Sequence, residues 1–210
     1  MIIQKIITIS PETINTIDLI KIYIAFIISF IISFLSFFYN NDYFLKICLN
    51  IFMKYVTIDV FFSTPDLVLH HIFGYLLCQY IIENNIDFMK NNSIYKTFFN
   101  TELSTIFLSI KLLINWYKTD IEKTKFNKFI KIYYDINDLI FFCLFYKLRL
   151  HDYYYNIIQN ENTYIEIYSS IEYLIIKNIK IYIAIYGLFI LNIYWFSLIC
   201  KKLYKSIIIK

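Results

Sequence analysis

Two adjacent histidines, His70 and His71, lie just inside a strongly apolar segment of the chain. Asp66 precedes them by one helical turn, and Pro65 opens the segment. Ionisable side chains are costly to keep in such surroundings, because hydrocarbon offers them no water. Where they occur they mark functional sites by default, and an imidazole beside a carboxylate favours acid–base or nucleophilic chemistry near neutral pH.

On a helix, Asp66 and His70 share a face at a spacing of four residues, whereas His71 points about 100° away. Asp66 is therefore expected to fix the tautomer of His70. His71 is expected to face a groove left open by Gly74, with Gly74 and Tyr75 contacting substrate. From these residues alone, a second interpretation is equally favoured: both histidines only form hydrogen bonds between helices and have no chemical role.

A metal site is a weaker interpretation of the same residues. Two adjacent histidines cannot easily bind one metal ion from a regular helix, and the sequence shows no third ligand at a suitable spacing. The cysteines are far apart, so they predict buried free thiols and no disulfide framework: Cys48, Cys78, Cys143 and Cys200. We expect neither a metal ion nor a cofactor.

A second polar stripe interrupts a later apolar segment. Glu102, Thr105 and Ser109 stand at i, i+3 and i+7, which places them on one helical face. A carboxylate there needs a partner, and Lys111 or one of the histidines is the predicted one. The functional interpretation is a polar cavity in which Glu102 supports the histidines while Thr105 and Ser109 contact substrate. The alternative is a buried polar seam between helices.

Membrane-spanning helices must position these groups. Of the 210 residues, 59% are hydrophobic and 17% are charged, whereas about 25% are charged in soluble domains. A helix of about 20 mostly apolar residues can cross the hydrocarbon core. The predicted fold class is all-α, a multi-pass transmembrane bundle of six helices at 17–39, 43–62, 66–83, 95–117, 130–149 and 178–200.

Charges at the segment ends predict the topology. The net charge is +4. Lysines collect in the loop between the fourth and fifth segments and again after the sixth segment. This pattern favours a cytoplasmic location for both termini, with the lysines contacting anionic headgroups and not nucleic acid. Asp135, Asp138 and Arg149 are expected to reach water as edge anchors. Asn192 lies deeper and is expected to bond another helix.

The chain shows no internal repeat and no second domain. It divides into an N-terminal tail (1–16), one transmembrane domain (17–203) and a basic C-terminal tail (204–210). Ser63-Thr64-Pro65 is predicted to start the third helix, because Ser and Thr cap helices and Pro favours the first helical position.

These motifs together resemble the TLC domain family over about residues 17–203. Asp66 with His70-His71 is similar to that family's Asp…His-His signature. Tyr55-Val-Thr-Ile-Asp59 is similar to the Tyr/Asp stretch that precedes the signature, and Glu102 through Lys111 is similar to a segment of the TLCD-type branch. Phe145 through Arg149 and Leu191 through Phe196 resemble later motifs of the family.

The resemblance implies a multi-pass protein of the endoplasmic reticulum or a related membrane, concerned with lipid. In ceramide synthases, which carry this domain, paired histidines are needed for acyl transfer from acyl-CoA to a sphingoid amine. The resemblance therefore implies His70 and His71 as the catalytic pair. The chain departs from those enzymes at Glu102-Leu-Ser-Thr, which stands where they carry further acidic residues. That departure favours the TLCD-type branch, linked to phospholipid composition.

Three functions remain open from the sequence. The first is a lipid-handling protein that shapes membrane acyl composition, and the second is an acyl-CoA-dependent N-acyltransferase. The third is a non-enzymatic lipid-sensing or trafficking factor. The expected partners are membrane lipids and, for the second function, acyl-CoA, whereas the oligomeric state is left open.

Overall fold

The computed structural model describes residues 16–38, 42–83, 93–117, 127–160 and 175–208, and all regular structure within these ranges is helical. The predicted N-terminal tail lies outside them, apart from Thr16. The main helices are α1 (Thr16–Phe38), α2 (Asp42–Asp59), α3 (Pro65–Glu83), α4 (Ser93–Trp116), α5 (Asn127–Leu144) and α6 (Ile175–Ile208). Each of the six predicted segments corresponds to one of them, so the all-α prediction is confirmed.

A tight connection joins α2 to α3. One 3₁₀ turn, Val60–Phe62, leads into the predicted cap, and Pro65 takes the first helical position. The Val68 amide donates to the Thr64 carbonyl at 2.7 Å, which is the first hydrogen bond of α3. Because this connection is so short, the end of α2 lies beside the histidines in the first turns of α3.

The helices pack as a bundle around one main core. α1 packs against α4 and α2, α2 against α3, α3 against α6, and α4 against α5. Each contributing helix buries one face, as amphipathic helices do. Fully buried core residues come from α1, α2, α3, α4 and α6 and from the helical turns that follow α5, and include Ile32, Leu49, Leu77, Phe99, Ile157 and Ile185.

Three helices are long and apolar enough to cross a membrane: Asp18–Phe37 in α1, Lys96–Trp116 in α4 and Ile179–Lys205 in α6. Only 11% of the apolar stretch of α1 is buried, compared with 50% in α4. An apolar helix that stays exposed in this way is suited to contact lipid. The number is smaller than the predicted six, because α2, α3 and α5 each carry several polar or ionisable side chains.

The cysteines divide between the core and the outer surface. All four are free thiols, and Cys48 and Cys78 are buried as predicted. Cys143 is exposed on α5, so the prediction of a buried thiol is wrong there. Apolar neighbours in the sequence do not distinguish the core from a lipid-facing surface, since both sides of a membrane helix are hydrophobic.

Gly187 sets a close approach between α6 and α3. A Cβ atom at this position would lie 2.5 Å from Cε2 of Phe73, well inside the usual carbon–carbon contact of about 3.5–4.0 Å. Gly187→Ala should therefore push the ring aside and lower the free energy of unfolding by about 1–3 kcal/mol. Unfolding in detergent micelles measures this loss, and adding Phe73→Leu should restore part of it. Unchanged stability would contradict the close approach.

Candidate functional site

A carboxylate from α2 holds His71. Nε2 of His71 lies 2.8 Å from Oδ2 of Asp59, and His71 is 5% exposed. The Ser63 hydroxyl donates to the same oxygen at 2.8 Å, and Nζ of Lys21 lies 3.9 Å from the other carboxylate oxygen. Because an ionised carboxylate only accepts hydrogen bonds, Nε2 is the ring nitrogen that donates to Asp59, and Nδ1 is the nitrogen left to carry the lone pair in the corresponding tautomer.

Both histidines have an Nδ1 atom that is buried and lacks a hydrogen-bond partner among the described residues. A buried nitrogen without a partner is costly if the residue serves only structure. A general base or nucleophile requires an accessible lone pair on one ring nitrogen. A carboxylate that accepts from the other ring nitrogen orients the imidazole for this role. The geometry of His71 therefore favours the chemical interpretation over simple hydrogen bonding between helices.

His70 packs against Trp195 of α6, with the ring centroids 5.0 Å apart. Nε1 of Trp195 donates to Oδ2 of Asp66 at 3.2 Å. The structure thus differs from the predicted Asp66–His70 pair, since Asp66 orients the indole that lies beside His70. The two imidazoles are themselves neighbours, with centroids 5.8 Å apart.

Tyr55 is one helical turn before Asp59 on α2 and also contacts His71. The two rings meet edge to face, with centroids 5.9 Å apart. The stretch from Tyr55 to Asp59, which the sequence marks only through the family resemblance, therefore supplies both α2 contacts of His71. Spacing along one helix could not reveal these contacts, because they run between two helices.

The groove predicted beside Gly74 is filled. A Cβ atom at Gly74 would lie 3.1 Å from Cε1 of Phe52 and 3.8 Å from the ring of Phe98. Gly74 thus allows side chains of α2 and α4 to pack against α3. Tyr75 is 37% exposed on the outer surface. The roles of Gly74 and Tyr75 in substrate contact stay predictions.

Glu102 belongs to a second buried polar cluster, centred on Arg149. The two residues are 6% and 5% exposed, and Nη2 of Arg149 lies 3.8 Å from Oε1 of Glu102. Ser29 of α1 donates to Oε2 of Glu102 at 3.0 Å. Arg149 in turn donates to the hydroxyls of Ser104 and Thr105 at 2.7 and 2.8 Å.

The prediction that Arg149 is an edge anchor is wrong. The helix continues beyond Leu144 as a π-helix, Phe145–Asp152, and this continuation keeps Arg149 inside the bundle. Asn192 of α6 is buried, with its Oδ1 3.5 Å from Nη1 of Arg149. The prediction that Asn192 contacts another helix is therefore confirmed.

Lys111 is paired with Asp138 of α5 and not with Glu102. Nζ of Lys111 lies 2.6 Å from the Asp138 carboxylate, and the lysine is 8% exposed. The predicted partner of Glu102 is thus replaced by Arg149, and Asp138 is an ion-pair partner instead of a free anchor. Ser109 is buried in α4, whereas Thr105 joins the Arg149 cluster.

The histidine and arginine clusters are connected through α6. Trp195 packs against His70, and Asn192, three residues earlier on the same helix, contacts Arg149. The sequence-predicted residues His70, His71 and Glu102 therefore belong to one polar interior region. Asp59, Tyr55, Trp195 and Arg149 complete this region from α2, α6 and the continuation of α5.

Among the described residues, no group of three or more His, Cys, Asp or Glu side chains is arranged to hold a metal ion. No family model, no curated protein and no solved structure matches the chain. The resemblance to the TLC domain family consequently stays a prediction from motifs. The function must be argued from the chemistry of the site itself.

Proposed function

We propose that the chain is a multi-pass membrane protein of the TLC-domain type that acts in membrane lipid composition or lipid homeostasis. In this proposal all six helices cross the bilayer and both termini are cytoplasmic. α2, α3 and α5 pack against the three apolar helices, which supports the placement of all six helices at the same depth in the bilayer. The exposed apolar side chains of α1 and α6 support direct contact with lipid.

The observation that carries this proposal is the Asp59–His71 pair, in which His71 is buried and its Nδ1 has no partner among the described residues. An apolar bundle that keeps a carboxylate and two imidazoles inside has no structural need for them, since apolar residues of similar volume pack at least as well. Molecules that reach this depth of a bilayer are lipids. We therefore assign the histidine pair to lipid chemistry or lipid binding within a related internal membrane such as the endoplasmic reticulum.

A second candidate function is N-acyl transfer from acyl-CoA, favoured by the unpartnered Nδ1 of His71. In that reaction the amine nitrogen attacks the thioester carbonyl, and the imidazole takes the amine proton as the new C–N bond forms. The C–S bond then breaks, and the coenzyme A thiolate leaves and accepts the proton. Asp59 would hold the imidazole in the required tautomer and stabilise its protonated form.

Lipid analysis of cells that express the chain tests the first proposal. The protein is expected to change phospholipid acyl composition, and the double variant His70→Ala/His71→Ala is expected to abolish that change because both site imidazoles are gone. His151→Ala is the matched control, since the His151 side chain is 40% exposed and contacts Asp152 and Lys147, outside the histidine pair. Identical lipid profiles for the protein and the double variant at equal expression would contradict the proposal.

Purified protein incubated with labelled acyl-CoA and mixed lipid acceptors distinguishes the two candidates. A labelled amide that depends on the histidines would establish acyl transfer. If a folded sample gives no histidine-dependent product, the transferase function is excluded and lipid handling without this step remains.

A further inference from the structure

α2 exposes a polar face where the other apolar helices expose hydrocarbon. Its exposed positions follow one another every three or four residues and so form one stripe along the helix: Tyr43, Lys46, Asn50, Lys54 and Thr57, flanked by Ile58, with Phe61 exposed in the 3₁₀ turn that follows α2. The corresponding surface of α1 consists mainly of Ile and Phe side chains. We call Lys46, Asn50 and Lys54 the α2 polar stripe.

Aromatic side chains bracket the α2 polar stripe. Tyr43 and Phe61 are 70% and 81% exposed, and they are 18 positions apart, which corresponds to about 27 Å of helix. The hydrocarbon core of a bilayer is about 30 Å thick. Since exposed Tyr side chains concentrate at the membrane–water interfaces, Tyr43 marks one interface, and the length of helix from there to Phe61 matches the thickness of the hydrocarbon core. The stripe therefore lies at the depth of the acyl chains.

The polar groups of the stripe retain free hydrogen-bonding capacity. Neither Lys46 nor Lys54 has an ion-pair partner for its ammonium group among the described residues. Asn50 uses one amide proton to donate to the Lys46 carbonyl at 2.8 Å, which leaves the second proton available. An unpaired ammonium group facing acyl chains is costly, so the stripe requires water or an anionic partner outside the bundle.

We propose that the α2 polar stripe is a path along which phospholipid headgroups move between the two leaflets. The inference rests on the six-helix placement across the bilayer contained in the proposed function. The two lysines are eight positions apart, or about 12 Å, with Asn50 midway. Each lysine can attract headgroups from the leaflet nearer to it. A headgroup then has to cross about 12 Å of apolar surroundings between the two lysines, in place of the full span of about 27 Å. The phosphate is the group that the ammonium ions recognise.

A second copy of the chain is the competing occupant of this face. Asp135 is the carboxylate that a second copy could offer at this depth, because it is exposed near the middle of α5, whereas the exposed Asp18 and Glu83 lie at helix ends. That helix also exposes Lys131 one turn earlier, so a contact with α5 would neutralise one lysine of the stripe and bring a further positive charge towards the other. Phosphates from both leaflets can neutralise Lys46 and Lys54 together, which favours the lipid.

Reconstitution tests the path directly. The purified full-length chain is placed in vesicles of phosphatidylcholine and phosphatidylglycerol with a trace of fluorescent phospholipid, and dithionite is added to destroy the label of the outer leaflet. Vesicles with the protein are expected to lose nearly all their fluorescence, whereas protein-free vesicles lose only the outer-leaflet share. Lys46→Leu/Lys54→Leu should slow the loss about tenfold or more, because the face becomes apolar. Lys131→Leu should leave the rate unchanged.

Circular dichroism of both variants in the same vesicles confirms that the helices are intact. Lys46→Gln/Lys54→Gln is a second test that keeps the face polar while removing its charge, and it should also slow the loss of fluorescence because the ammonium groups that recognise the phosphate are gone. The absence of transbilayer movement with the unmodified chain would overturn the inference. So would an equal rate in the folded leucine variant, or efficient cross-linking of Lys54→Cys to Asp135→Cys between copies. Movement without any histidine-dependent change in lipid composition would overturn the proposed function alone, and the reverse result would overturn the headgroup path alone.

Discussion

Arg149→Met is expected to lower the free energy of unfolding by about 3–5 kcal/mol, because it leaves a buried charge without its partner. Glu102 is 6% exposed and has the guanidinium as its counter-charge at 3.8 Å. The substitution also removes the donors that reach Ser104 and Thr105. Methionine keeps much of the side-chain volume, so the loss reports on charge and hydrogen bonding more than on a cavity.

Unfolding in detergent, followed by circular dichroism, measures this loss. Adding Glu102→Gln to Arg149→Met should recover part of the stability, since the isolated carboxylate is then gone. Lys147→Met is the matched control, because Lys147 lies in the same π-helix with a 56% exposed side chain, and it should change stability by only about 0.5 kcal/mol. Similar small losses for Arg149→Met and Lys147→Met would contradict the buried pair.

Asp59→Asn is expected to reduce the histidine-dependent activity about 100-fold with little effect on folding. The carboxylate accepts hydrogen bonds from His71 and Ser63 and has Lys21 as a counter-charge at 3.9 Å, whereas an amide offers one acceptor oxygen and a donor group. The donor can turn towards Nε2 and move the imidazole proton to Nδ1. The nitrogen that should act as the base would then be protonated and inactive.

Asp66→Asn is the matched control for this prediction. The amide oxygen can still accept from Nε1 of Trp195, so the indole that packs against His70 keeps its position. The readout is the rate of change in phospholipid acyl composition, or of labelled amide formation if the transferase activity is present. Full activity in folded Asp59→Asn would show that Asp59 does not position His71 for chemistry.

The helices themselves could be located from the sequence. Long blocks of apolar residues mark the helices, and Pro65 marks the start of α3 because a helix tolerates proline in its first turn. Helical periodicity placed Glu102 and Thr105 on one face, and both contact Arg149. The depth of Asn192 in its apolar segment predicted its contact with another helix. These features depend on one helix at a time.

Partners across helices could not be predicted in the same way. Periodicity tells which residues share a face of one helix, but not which neighbouring face they meet, so Asp59 was missed as the partner of His71. Arg149 was misplaced for a second reason. A regular helix ending near residue 149 would have carried it to the membrane edge, and nothing in the composition indicates the π-helix that holds it inside.

A structure determined in a lipid nanodisc tests the central claim most directly, namely that a membrane-embedded bundle gathers Asp59 and the histidine pair in its interior. We expect the lipid belt to surround all six helices, with Tyr43 and Phe61 at its two edges. Asp59 should lie within hydrogen-bond distance of His71. A belt that leaves α2 or α5 in water, or histidines that face the acyl chains, would contradict the claim.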